Sequence, residues 1–529
     1  MMKRTIILLF LFGCLLAPQC SLDKGNYNYH EFNEITIQGV ADRPLVTVVN
    51  DGIDKLHIEP QLEMTENVDP DSDRFRYRWL TQYMMNPGTP AGYYVIDTIA
   101  ATRILDWVPP VTFYTAGNTT LIFRVTDLHT GLTTSSTCLF RMSVFHSRGW
   151  LLIGENAQGN VQCQMVNMLA GRDTLFFPNL LEHSGLPTLQ GPINFFHSGG
   201  GAGYIKLWVV TKSGSYWVDN VTLESSPTNT FGSLMFNAPA QINLVDMSPP
   251  IRTLAGGSSN FQRYVLCDDG NLYSASMSYT GDYYGFPVNV LENDRSNPIS
   301  ARGPLLCNML GTGTGAAMWY DQANERFMFA LTPGVYLYSE AAPDSGENPT
   351  LPFPWDQAGT GRTYLYGENT SDNVSAPNNF TNCFALMAKG RDSAFIYTFR
   401  VPDNPPPVKV AAYTIDPLPA NFLDATSYTF AANQTTMFYI VSGKLYMLEY
   451  QTNVMTPIDF WNGDEVTMAK IDHVVAPREN HLYVATYNPA TGGKITKYIL
   501  SGGTTLTKAP NSEWTGLVKI KNMTWRGVE

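Results

Sequence analysis

Along most of this chain, short runs of alternating or wholly apolar residues are separated by turn residues, a strand-and-turn rhythm with no long 3.6-residue period. One phrase recurs in the last two-thirds. Its clearest copies are Asp269-Gly270-Asn271-Leu272-Tyr273 and Ser442-Gly443-Lys444-Leu445-Tyr446, each set between apolar runs. A turn glycine supplying φ > 0 between two β-formers predicts a hairpin. Looser copies centre on glycines 159, 214, 334, 390 and 493, so successive copies are 55, 56, 64, 56, 53 and 50 residues apart. A period near 50 made only of short strands predicts a β-propeller, one four-stranded sheet per repeat. Residues 147–529 divide by seven into about 55 per repeat, so about seven blades are expected. The final run Leu517–Trp525 has no hairpin partner downstream, so it is expected to join the sheet holding Trp150–Ile153 and close the ring.

Upstream, residues 30–146 predict one Ig-like sandwich. Leu56 to Leu62 alternates as a half-buried strand. In Arg74-Phe75-Arg76-Tyr77-Arg78-Trp79 the three aromatics face one way and the three arginines the other, with Trp79 placed to plug a sandwich core. The three arginines read as a solvated face rather than an acidic-ligand patch. The overall expectation is an all-β chain: an Ig-like β-sandwich followed by a seven-bladed propeller-like domain.

Composition agrees. In 529 residues, aromatics are 12% and charged residues only 15%, with 43 Gly and 34 Pro, which fits a turn-rich globular chain of at least two domains. The net charge is −12, and there is no basic cluster, so nucleic acid is not an expected partner. Residues 1–19 read as a lipoprotein signal peptide: Lys3 and Arg4, then an apolar run from Thr5 to Leu16. Without that leader the balance is 32 basic to 46 acidic residues, or −14. Cys14 and Cys20 are both possible lipidation sites, and Cys20 leaves a leader of ordinary length. A lipid on Cys20 would be the only membrane anchor.

Cys20-Ser21-Leu22-Asp23-Lys24-Gly25-Asn26-Tyr27-Asn28-Tyr29, with Asn33-Glu34-Ile35-Thr36-Ile37 behind it, resembles the start of PKD-like family surface lipoproteins. Val125-Thr126-Asp127 before the Thr130-Gly131 turn resembles PKD domains. The resemblance supports Cys20 and makes residues 20–29 a tether. It implies an outer-membrane, surface-exposed accessory of a SusC/SusD-type nutrient importer, without implying a known ligand; glycan or peptide capture is the expected role.

Candidate chemistry is sparse. Asp69-Pro70-Asp71-Ser72-Asp73 could offer Asp69, Asp71 and Asp73 to calcium, but Arg74 and Leu80 stand where an EF-hand needs Gly and Glu. An acidic turn is the plainer reading, and no cofactor is expected. Gly311 to Ala316 precedes a strand rather than a helix, so it is no dinucleotide loop. His197-Ser198-Gly199-Gly200-Gly201 has no nucleophile elbow to serve. The eight histidines lack zinc spacing and read as structural or surface residues. Cys138, Cys163, Cys267, Cys307 and Cys383 read as buried free thiols. No catalytic residue is assigned.

Aromatic loops are the remaining feature: Tyr283, Tyr284 and Phe286, then Phe353 and Trp355, and a third set at Gln82–Met85 with Gly92–Tyr94. Exposed rings of this kind stack on sugars or grip peptides; buried ones plug gaps between blades. The expectation is ligand binding without turnover. A propeller hydrolase or lyase and a structural partner of the transporter remain alternatives.

Overall fold

Seven separate antiparallel sheets follow one another from residue 148 to residue 527 in a computed structural model of the chain. The structure describes residues 32–41, 46–50, 55–85, 93–110, 118–168, 174, 176–198, 206–239, 241–248, 262–276, 281, 283–309, 316–330, 338–344, 352–374, 381–402 and 406–527. Contacts divide the chain into two compact units, residues 1–143 and 144–529.

The N-terminal unit is a two-layer β structure. One layer is a five-stranded antiparallel sheet in the order Val46–Asn50, Thr133–Val144, Asn118–Asp127, Phe75–Met85, Tyr93–Ala100. The other is made of two short pairs, Ile35–Gln38 with Gln61–Met64 and Leu56–Ile58 with Leu105–Trp107. Phe75, Tyr77 and Trp79 point into the core and Arg76 and Arg78 point out, as the alternation requires. Trp79 is fully enclosed, its ring 4.5 Å from that of Phe123, and its Nε1 donates to the Arg103 carbonyl at 3.2 Å. The run Leu56–Leu62 is two strands rather than one. It breaks at Glu59-Pro60, where proline has no N–H for a ladder, and its halves join different pairs.

In the second unit the sheets form the seven blades of a propeller. The first comprises Phe176–Phe177, Val161–Asn167, Arg148–Glu155 and the C-terminal strand Lys519–Gly527. The second and third have three strands each among the described residues, and the fourth to seventh have four. The innermost strands, in blade order, are Lys519–Gly527, Pro192–Ser198, Leu244–Ser248, Ala301–Leu306, Arg362–Asn369, Ser427–Phe430 and Glu465–Ile471. Closure is as the sequence predicts: Trp150 lies opposite Trp525 and Leu152 opposite Met523 in an antiparallel ladder.

The repeated phrase marks the turn between second and third strands in most blades. Gly159, Gly270, Gly390 and Gly443 all have φ between +58° and +79°. In the last blade the positive φ falls on Gly492 (+82°), the first residue of the strand Gly492–Ser501. In the fourth blade the corresponding hairpin joins Ala317–Asp321 to Arg326–Ala330 and turns at Glu325 instead, while Gly334 lies outside the described residues. Cys138, Cys163, Cys267, Cys307 and Cys383 are buried free thiols.

Candidate functional site

Innermost strands of a propeller have one edge with no partner in their own sheet, so their backbone groups must find partners elsewhere. Here polar side chains at the channel supply them, seam by seam. Asp246 Oδ2 accepts the Leu305 N–H at 2.7 Å, joining blades three and four. Asn369 joins four and five, donating to the Leu305 carbonyl (2.9 Å) and accepting from the Cys307 N–H (2.8 Å). Glu368 joins five and six, accepting from the Phe430 N–H (2.7 Å) and the Thr429 hydroxyl (2.8 Å). Thr429 Oγ1 in turn accepts the Ile471 N–H at 3.2 Å, joining six and seven. Lys470 Nζ donates to the Met523 carbonyl at 2.7 Å, joining seven and one. Asn522 then donates to the Ile193 carbonyl at 3.1 Å, joining one and two, and blades two and three are joined away from the channel, where the Leu244 N–H donates to Ser215 Oγ at 2.9 Å.

Two cavities share the channel lining residues Asn194, Asp246 and Pro304. The wider, about 990 Å³, lies at the starts of the inner strands beside Asp268, Asp269 and Gly270. The tighter, about 380 Å³, lies at their ends. Its walls mix Trp150, Phe196, Tyr366 and Trp525 with Asp246, Glu368, Lys470, Asp472, His197 and His473.

Burial sets the ionisation of these groups. Glu368 is pushed up to about 7 by loss of water, against the pull of its two hydrogen bonds and of Lys470. Asp246 is likewise raised by burial, and Lys470 is lowered by it despite three nearby carboxylates. His473 falls to about 3, from burial and then from Lys470, so it is neutral. Its Nδ1 accepts the Ser371 N–H at 3.1 Å, which places the ring proton on Nε2. Nε2 stands 3.8 Å from Glu368 Oε1, beyond a hydrogen bond. Asp472 is spent on the backbone N–H groups of Val474, Val475 and Ala476.

The aromatic residues singled out in the sequence separate into two groups. Tyr284, Phe353 and Trp355 are packed inside the propeller: Phe353 stacks on Tyr397 at 4.1 Å and Trp355 meets Phe399 edge-on at 5.2 Å. Their faces are covered by protein. Tyr283 and Phe286 are exposed, and Tyr283 stacks on exposed Phe236 at 5.5 Å. Tyr93 and Tyr94 are exposed on the edge strand Tyr93–Ala100.

Asp69 closes a local turn, Oδ1 accepting the Asp71 N–H at 2.9 Å, and Asp71 pairs with Arg103 at 2.9 Å. Among the described residues no three His, Cys, Asp or Glu side chains converge as a metal site. Cys14 and Cys20 lie outside the described residues. No described helix is long and apolar enough to cross a membrane.

The channel groups were missed in the sequence, where the histidines read as structural. The available signal was a charge near the end of an apolar strand, as in Leu244-Val245-Asp246-Met247 and Met468-Ala469-Lys470-Ile471.

The architecture defines the class: an all-β chain with a sandwich unit and a seven-bladed propeller-like unit. The PKD-like family matches residues 20–182. No curated protein matches the chain. Among solved structures, the chain is similar to a quinonprotein alcohol dehydrogenase-like protein from Bacteroides thetaiotaomicron, at 10% identity and TM-score 0.36 over 94% of this chain and 100% of that one. It is also similar to a candidate 6-phosphogluconolactonase from Bacteroides uniformis, at 10% identity and TM-score 0.39 over 72% and 100%. A third is the extracellular domain of a candidate one-component system from B. thetaiotaomicron, at 10% identity and TM-score 0.34 over 91% and 61%.

Proposed function

We propose that this chain is a lipid-anchored outer-membrane surface protein that binds a nutrient ligand without turnover and serves a SusC/SusD-type importer. The observation that carries the binding half is how the channel acids are used. Asp246, Glu368 and Asp472 all accept hydrogen bonds from main chain, two of them across blade seams. A carboxylate engaged in this way already spends its acceptor positions on the ring, which leaves fewer for taking a proton from a substrate. The tighter channel cavity beside them has the mixed aromatic and polar wall of a binding pocket. The importer and the anchor rest on the sequence around Cys20 and on the PKD-like match over residues 20–182.

Affinity capture of the full chain from detergent-solubilised outer membrane tests the partner. An importer pair should co-purify, and Cys20→Ala should release the protein to the soluble fraction. Steady product release from glycans or peptides by the purified chain would replace this reading with the hydrolase or lyase.

A further inference from the structure

His197 is 5% exposed in the wall of the tighter cavity, and neither of its ring nitrogens has a hydrogen-bond partner in the protein. His473 is 6% exposed in the same wall, and its Nε2–H is likewise unmatched. Buried polar atoms left unsatisfied are costly, so three of them around one cavity point to a ligand that supplies their partners.

The chemistry of that ligand follows from the donors and acceptors. A neutral imidazole presents one N–H and one lone pair. A carboxylate or phosphate only accepts, and would set its charge against the imidazole lone pair. An ammonium only donates, and would leave the N–H groups of both histidines unmatched. Hydroxyl groups do both. His197 is held neutral by burial and then by the neighbouring Arg526. An extended peptide binds through a free strand edge, and the inner-strand edges here are engaged with the neighbouring blades. Trp525 and Tyr366, both only partly buried, provide the apolar faces on which a sugar ring's C–H groups pack. About 380 Å³ is at the low end for small-ligand clefts, which suits a short saccharide.

We infer that the tighter end of the propeller channel is a binding site for a neutral mono- or disaccharide, with His197 and His473 as its hydrogen-bonding residues. This rests on the binding reading above and names its ligand class and place.

The test is calorimetry, with tryptophan fluorescence alongside, on the purified full chain. The probes are glucose, galactose, mannose, xylose and their β-1,4-linked disaccharides, against glucuronate and diglycine. At least one neutral sugar should bind saturably. His197→Leu should weaken it roughly tenfold or more, the loss expected for two hydrogen bonds. That variant should melt no lower than the parent, because it gives up no bond within the protein. His197→Gln, which keeps a neutral donor and acceptor, should retain most of the affinity and serves if the leucine variant does not fold. Sugar binding indifferent to both variants overturns the site, and tighter binding of glucuronate or diglycine overturns the ligand class. If no sugar binds but an importer co-purifies, this inference fails while the accessory reading stands. Product release from a bound sugar would instead remove the accessory reading.

Discussion

Trp150 and Trp525, from opposite ends of the propeller sequence, pair across adjacent strands with ring centroids 5.1 Å apart and planes inclined at 68°. The contact seals the first blade, because Trp525 belongs to the strand that closes the ring.

Closure makes the last strand essential to every blade. Met523, 1% exposed, packs with Leu152 and Ile520, and Met523→Ala should cost about 2–5 kcal/mol. Removing residues 519–529 should abolish a single cooperative melt followed by circular dichroism, rather than fray one end. A truncated chain that melts like the parent would show that the ring does not depend on its clasp.

Glu368 predicts a pH dependence with a definite sign. Its carboxyl titrates near 4.5 when unfolded and about 7 when folded. Below pH 4.5 both states hold the proton. Between 4.5 and about 7 only the folded state does, so stability falls across that window, by on the order of 3 kcal/mol, and is level above it. Lys470, Asp246 and His473 face the same space and shape the curve. Glu368→Gln should flatten the slope in urea unfolding measured at pH 5 and pH 8; an unchanged slope would refute the assignment.

The sandwich carries the opposite case. Arg74 Nε and Nη2 both bond to the enclosed Asp127 carboxylate, and Asp127 also accepts the His129 N–H at 2.9 Å. These hold Asp127 at about 2, below its ordinary 3.8. Its contribution is therefore present above pH 3.8 and lost as pH falls through 2. Arg74→Met should move acid unfolding of this unit toward pH 3.8, read by Trp79 fluorescence.

Two aromatic substitutions separate core from surface. Trp355→Ala should cost about 3–5 kcal/mol, since the ring is fully buried. Phe286→Ala, at a residue 73% exposed, should stay within about 0.5 kcal/mol. Thermal melts of the two variants decide it.

Those two rings also show what was legible in the sequence. Hairpins could be read because Gly270 and Gly443 are forced by φ > 0, a local requirement. Trp79 could be placed because strict alternation fixes a strand's faces. Whether Trp355 is buried depends on Phe327, Tyr397 and Phe399 arriving from elsewhere in the chain, which no local pattern encodes. Glu368 and Lys470 were invisible for the same reason. Their partners lie on different blades, and the channel exists only once seven inner strands are assembled.

The first blade has a mechanical consequence. Arg148–Glu155, where the chain enters the propeller, is flanked by Val161–Asn167 on one side and Lys519–Gly527 on the other. A pull on the chain at residue 144 therefore runs along that strand and loads both ladders in shear. Their hydrogen bonds must fail together rather than one at a time, so the propeller should resist force best where the chain enters it.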